Sequence, residues 1–209
     1  MMFEQRHLLP ILVAATVLAV NLGGPARADS FGDGAQKFVA EMAKAAITSL
    51  TGKDLDPIAR ERRVRVLMLD HFAVKDIAKW VLGQRYWRRA TDQQRTEYLK
   101  LFEDLMVADY ARRFEKYEGE TLAIRKTEVR DSRDAVVYSN MLQPGREKSV
   151  RIDWRIRANE GTYKVVDILV EGISMSVTKR SEFASVIRRN GDNVEALLVE
   201  LRKRLHNDT

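Results

Sequence analysis

Cysteine is absent from this chain. That excludes a disulfide framework, a thiolate nucleophile, cysteine-bound metal and a lipid-modified N-terminal cysteine. Histidine is scarce: of three, His7 lies near the N-terminus, His71 falls between two helical patterns and His206 sits in the C-terminal tail. His71 reads as a capping or surface residue. No two histidines stand at metal-ligand spacing, and no clustered Asp/Glu motif suggests a carboxylate-only site. There is no G-x-S-x-G elbow, no P-loop and no G-x-G-x-x-G. There is no internal repeat and no low-complexity segment. Beyond the first residues, no apolar run is long enough to span a bilayer.

The one apolar run, Leu8 to Leu22, follows Arg6 and His7 and leads into "PARADS". It contains Pro10 and Asn21 and falls short of the roughly 20 residues a span needs. Ala26 and Ala28 occupy the small-residue positions of an A-x-A cleavage site. Residues 1–28 therefore read as a secretory signal peptide cleaved after Ala28, leaving 29–209 as the exported protein. The whole chain carries 36 Lys and Arg against 30 Asp and Glu. An exported protein rarely meets nucleic acid, and the basic residues are scattered in short groups such as Arg88 with Arg89 and Arg112 with Arg113. A solvated surface is the plain reading; mild attraction to anionic lipid headgroups or an acidic partner is the sharper one.

The first half of the exported chain has helical spacing. Phe38, Val39, Met42, Ala46, Ile47 and Leu50 lie on one helix that stops near Gly52. Asp56 followed by Pro57 is an N-cap with a first-turn proline, opening a helix that carries Val64, Leu67 and Met68. A short helix runs from about Val74 to Leu82. Thr91 and Gln94 form a capping box for a long helix reaching about Tyr117, with Tyr98, Phe102, Leu105, Met106, Tyr110, Phe114 and Tyr117 on its apolar stripe. Asp109 and Arg113 interrupt that stripe at pairing distance.

The second half changes period. "TLAIRKTEV", "AVVYSNMLQ", "KSVRIDWRIRA" and "TYKVVDILVEG" read as four strands joined by "RDSRD", "PGRE" and "NEG", an antiparallel meander. "ISMSV" extends the last strand past Gly172, and helices around Ser181–Arg188 and Val194–Leu205 close the chain. Helices, then a sheet, then helices predict an α+β fold with helices on one face of an antiparallel sheet. In "VRIDWRIR", Val150, Ile152, Trp154 and Ile156 alternate with Arg151, Asp153, Arg155 and Arg157, so one face is buried and the charged one faces water. On the next strand, Val166, Ile168 and Val170 share a face, and Asp167 alternates with Val165 and Leu169.

Asp167 and Glu171 are the best catalytic candidates, but cross-strand charge pairing with the neighbouring arginines explains such carboxylates more simply. The composition favours a binding protein over an enzyme.

"FAVKDIAKWVLGQRYWRRATDQQRTEYLKLFEDLMVADYARRFEKYEGE" (Phe72 to Glu120) and "YKVVDILVEGISMSVTKRSEF" (Tyr163 to Phe183) together resemble the MlaC family of periplasmic phospholipid-binding proteins, also known from toluene tolerance. "LGQRYWRRATDQQR" and "DILVEGISMS...RSEF" are the specific parts. The resemblance implies a cone-shaped domain like nuclear transport factor two, with a curved antiparallel sheet of four to five strands and a small helical subdomain at about 53–90. It implies a monomeric periplasmic carrier with no cofactor. That carrier would move a glycerophospholipid between an outer-membrane lipoprotein complex and an inner-membrane ABC transporter complex, holding the acyl chains inside. A related branch is associated with hopanoid synthesis; "VEGISMSV" looks closer to the phospholipid branch.

On the carrier reading the pocket walls are Val150, Ile152, Trp154, Ile156, Val166, Ile168 and Val170 on the sheet. Opposite them stand Leu82, Tyr98, Phe102, Leu105, Met106, Tyr110 and Phe114. Each residue alone is equally consistent with an ordinary core, because a cavity wall and a core have the same composition. Tyr86 and Trp87 belong to the family motif and read as braces. Two other readings stay open: an enzyme using Asp167 or Glu171, and an envelope interaction module with a solid core.

Overall fold

A computed structural model describes residues 25–52, 55–159 and 161–207. The expected signal peptide lies almost wholly outside the described residues. Seven helices and one antiparallel sheet follow in order: α1 (Pro25–Leu50), α2 (Pro57–His71), α3 (Val74–Leu82), α4 (Gln84–Arg89), α5 (Asp92–Glu115), β1 (Thr121–Val129), β2 (Asp134–Leu142), β3 (Val150–Asn159), β4 (Thr162–Val170), β5 (Ile173–Ser174), α6 (Met175–Arg189) and α7 (Val194–Asn207). The five strands lie side by side in chain order, as short turns require.

Local signals act where the sequence places them. The Asp56 carboxylate accepts the Ala59 N–H at 2.9 Å, with Pro57 in the first turn of α2. Thr91 and Gln94 make both bonds of the capping box at the start of α5, each 3.1 Å. His71 closes α2, its Nδ1 donating to the Leu67 carbonyl at 2.8 Å.

Two cores result. The helical core joins α2 to α7 around Val64, Leu82, Tyr98, Phe102, Leu105, Phe183, Ile187 and Leu198. Phe183 meets Tyr98 and Phe102 edge-on, with centroids 6.3 Å apart in both pairs. The Tyr98 hydroxyl donates to the Ala78 carbonyl at 2.9 Å, and burial pushes its pKa far above the ordinary phenol value. The second core packs Ala35, Val39 and Met42 of α1 on Ala135, Val137, Ile156 and Val165 of the sheet. Here α1 comes close: a Cβ on Gly34 would lie 2.1 Å from the Tyr163 hydroxyl. The Tyr163 ring stacks between Phe31 and Phe38, at 5.7 and 5.8 Å.

The motif "LGQRYWRR" holds the two ends of the helical core together. Asp192, in the turn between α6 and α7 at φ 59°, accepts from Arg85 (2.5 Å), the Tyr86 hydroxyl (3.0 Å) and Arg89 (3.5 Å). The Trp87 ring lies between Lys79 and Arg95, 5.5 and 5.6 Å from its centroid. Helix α4 itself carries too few residues to show a period, so spacing did not reveal it.

Three expectations are corrected. "ISMSV" does not extend the last strand: β5 is two residues long and α6 begins at Met175. The Ser174 hydroxyl accepts the Val177 N–H at 3.1 Å, and Asp167 accepts the Ser176 N–H at 3.1 Å, which starts the helix there. Asp153 is not solvated. It is 2% exposed, between its register neighbours Tyr138 and Leu169, and held by Arg151 Nη2 at 2.7 Å. The simple alternation on β4 also fails. The register jumps from Arg155–Asp167 to Ile156–Val165, so Val166 is an extra residue that reverses the faces. The Val165 carbonyl at this bulge accepts the Ala73 N–H at 3.0 Å, tying the α2–α3 connection to the sheet.

Candidate functional site

A cavity of about 500 Å³ lies between the two cores. One wall is the inner face of the sheet, with Leu122, Met141, Val150, Ile152, Trp154, Ile168 and Val170. Facing it are Met42, Ala43, Ala46, Ile47 and Leu50 of α1, Val64, Leu67 and Met68 of α2, Phe72, and Tyr110 and Phe114 of α5. Small alanines on α1 leave room where a larger side chain would close the gap. The volume falls within the roughly 300–1,000 Å³ of small-molecule sites. At about 30 Å³ per water-sized group it holds some 17 methylene-sized groups, the scale of one long acyl chain.

The walls are satisfied without polar help from a ligand. The Trp154 indole N–H donates to the buried Ser139 hydroxyl at 3.0 Å, and Ser139 donates to the Ile152 carbonyl at 2.6 Å. Trp154 thus keeps its ring against the cavity while its one polar atom is used within the sheet. Burial raises the Tyr110 phenol above its ordinary pKa, as for a neutral wall residue. This apolar part of the lining offers area and shape and no directional recognition.

Of the wall residues expected from the sequence, the structure brings together Tyr110, Phe114, Val150, Ile152, Trp154, Ile168 and Val170. The others lie elsewhere. Leu82, Tyr98, Phe102 and Leu105 are buried in the helical core, and Met106 packs against it. The stripe of α5 is shared: a 24-residue helix is about 36 Å long, so its residues from Tyr98 to Val107 pack in the helical core and only its last turns, at Tyr110 and Phe114, reach the cavity. Ile156 is fully buried, 0% exposed, under α1. Val166 is turned by the bulge to the opposite side of the sheet. The walls that sequence reasoning missed are those of α1 and α2. The spacing of Met42, Ala46 and Leu50 was visible, but nothing local says what that face covers.

On the other side of the sheet, a groove of about 640 Å³ is lined by Ile77, Trp80, Arg155, Arg157, Lys164, Asp167 and Val177 among others. Its mixed polar lining suits a solvated surface better than an apolar ligand. The candidate catalytic carboxylates are committed to structure. Asp167, 5% exposed, accepts from the Ser174 hydroxyl at 2.6 Å and from the Ile168 and Ser176 N–H groups at 3.0 and 3.1 Å. Glu171 accepts the Arg151 N–H at 2.6 Å. Among the described residues no group of three or more His, Asp and Glu could hold a metal ion.

Comparison with known proteins places this geometry. Residues 39–203 match the family model described as MlaC protein. The toluene tolerance protein ttg2D of Pseudomonas putida is 23% identical over 120 residues, 57% of this chain and 55% of that protein, so the match spans just over half of its length. The intermembrane phospholipid transport system binding protein MlaC of Haemophilus influenzae is 22% identical over 151 residues, 71% of this chain and 69% of that one. A solved structure of a phospholipid-binding protein from Ralstonia solanacearum, in complex with a phospholipid, aligns with a TM-score of 0.72 at 24% identity. It covers 83% of this chain and 98% of its own, which establishes a shared fold.

Proposed function

The chain belongs to the MlaC family, and from that premise we propose that it is a non-enzymatic carrier of glycerophospholipid between membranes. The observation that carries this reading is the apolar cavity between α1, α2, the end of α5 and the inner face of the sheet. One buried CH₂ is worth about 0.8 kcal/mol, so a 15-carbon acyl chain costs on the order of 12 kcal/mol to bring into water. A carrier has to return most of that energy. A dry wall of aliphatic and aromatic side chains does so, and it releases its cargo to any site of equal apolarity.

The finer reading follows the family. The cavity holds acyl chains and leaves the headgroup near solvent. The signal peptide delivers residues 29–209 to the periplasm, where the monomeric protein exchanges lipid with an inner-membrane transporter complex and an outer-membrane complex. The fold is the cone-shaped one of nuclear transport factor two, with α2 to α4 as its small helical subdomain.

Native mass spectrometry of protein purified from a bacterial host without detergent tests the class. Protein carrying the mass of one or more phospholipids is expected. A hopanoid mass moves the chain to the other ligand branch, and ligand-free protein that takes up no lipid from vesicles removes the carrier reading.

A further inference from the structure

We propose that Arg113 and Lys116 form a headgroup site at the mouth of the cavity and bias its cargo toward anionic phospholipids. This inference rests on the carrier reading. Among the cavity-lining residues, only Arg113, Lys116 and Thr121 are exposed. They fall within nine residues of one another, where α5 ends and β1 begins. The cavity therefore meets water there, and a lipid whose chains fill it brings its glycerol and phosphate out past these three side chains.

Among the described residues, no carboxylate holds the cations at this mouth. Sequence spacing pairs Arg113 with Asp109, but the structure gives that carboxylate to Arg112 at 2.7 Å and Lys179 at 3.9 Å. Arg113 lies instead over the Tyr110 ring, 5.9 Å from its centroid, so its guanidinium rests on the apolar wall and its N–H groups meet no acceptor among the described residues. Lys116 ends α5 as its C-cap residue. Neither has a carboxylate within ion-pair distance among the described residues. Glu120, the acid among the cavity-lining residues, accepts the Glu118 N–H at 2.8 Å and keeps its negative charge.

A guanidinium offers a planar fork that matches two phosphate oxygens, and an ammonium adds a second point charge. Any glycerophospholipid presents the phosphodiester. Phosphatidylethanolamine also brings its own ammonium to the same rim, where two cations already stand. Phosphatidylglycerol brings none and keeps its negative charge. Two cations against one carboxylate thus favour the anionic headgroup, by up to about fivefold for each exposed contact. The competing account is purely structural: cations near a helix C-terminus complement its dipole.

The test offers wild type and Arg113→Gln/Lys116→Gln delipidated protein to vesicles of equal phosphatidylglycerol and phosphatidylethanolamine. Each protein is re-isolated and the two lipids are quantified by mass spectrometry. The ratio is read within each sample, so it does not depend on total loading. Wild type is expected to be enriched in phosphatidylglycerol about three- to tenfold, and the variant to return to the vesicle ratio. High salt should shrink the wild-type bias, while millimolar inorganic phosphate should displace no lipid. Loaded wild type with no bias, or a variant that keeps the bias, overturns the inference and leaves the carrier reading standing. A lower melting temperature in the variant with an unchanged lipid ratio assigns the cations to the helix end and overturns it as well. Phosphate binding at Arg113 that survives with an empty cavity overturns the lipid as the source of the anion. Wild type that takes up no lipid overturns both readings.

Discussion

Ile152 and Ile156 stand on the same face of β3, about 13 Å apart, and the structure gives them different surroundings. Ile156 is paired with Ala135 and Val165 under α1 and is fully buried. Ile152 is paired with Ser139 and Val170 and faces the cavity. Ile156→Ala leaves a new void in packed surroundings and should cost about 2–5 kcal/mol. Ile152→Ala removes the same atoms from a wall that already borders open space. Full transfer of three carbon groups is worth about 2.4 kcal/mol, and a side chain half-wetted in the empty cavity should lose only about 1 kcal/mol of it. The two variants should then differ by at least about 1 kcal/mol in lipid-free protein. With a urea slope of about 2 kcal/mol per molar, their midpoints separate by at least roughly 0.5 M. Loading with phospholipid should narrow the gap, since only Ile152 gains contacts from the ligand. Urea curves on delipidated and loaded forms read all four values. Equal losses in the delipidated protein would refute the assignment of Ile152 to the cavity wall.

Other outcomes follow from the same geometry. Trp154→Arg should fold, because the side chain can reach water through the mouth, yet carry much less lipid; a variant that unfolds, or one that keeps its full lipid count, contradicts the wall assignment. Gly34→Ala brings a methyl group against the Tyr163 hydroxyl and should lower stability by about 1–3 kcal/mol, with Tyr163→Phe restoring part of it in a denaturant curve; an unchanged midpoint for Gly34→Ala alone removes the close approach. Glu182 supplies a pH test. Burial pushes its carboxyl upward, but the hydrogen bond from Arg204 and the charge of Lys179 outweigh burial and hold it below the ordinary range. Its contribution is therefore present above the unfolded value of about 4.3 and is lost as pH falls through the lower folded value. For so exposed a pair the effect is under about 1 kcal/mol; Glu182→Gln should melt 1–4 °C lower at pH 7, the difference closing below pH 4. A difference that grows on acidification reverses the sign and refutes the pairing.

Most of the frame was legible because its signals are local. Period-two runs between turn residues located four strands to within two residues at either end, and Thr91 with Gln94 marked the start of α5. What escaped depends on the backbone or on distant partners. The bulge that sends Val166 outward leaves no mark in a run of valines. The start of α6 depends on Asp167, seven residues before Ser174. Asp153 reads as solvated because alternation cannot see Arg151 folded back onto it. The pocket was half legible for a similar reason. An apolar stripe tells which face of α5 is buried, and says nothing of whether another helix or an open space lies opposite. The face of α1 was equally visible, but only the fold shows that its alanines stand across from Trp154 and Ile168.

The position of the cavity bears on how a carrier stays folded when empty. Leu50, Val64 and Met68 belong both to the cavity wall and to the helical core, and Met42 to the wall and the sheet core. Phe72 packs against both cores. The cavity is therefore a seam between two packed units, not a hole in one. A sealed dry void of 500 Å³ would cost on the order of 12 kcal/mol at about 24 cal/mol per Å³. That is comparable with the whole stability of a domain, about 5–15 kcal/mol. A mouth at Arg113, Lys116 and Thr121 avoids that cost by admitting water, while each core keeps its own contacts. The same 12 kcal/mol is the scale of one acyl chain in water. Binding thus relieves the lipid of that penalty, and a lipid leaves readily only into another apolar site. The expectation is that loaded protein melts well above delipidated protein and holds its lipid in buffer, yet loses it to acceptor vesicles. Equal loss to buffer and to vesicles would sink this account of release.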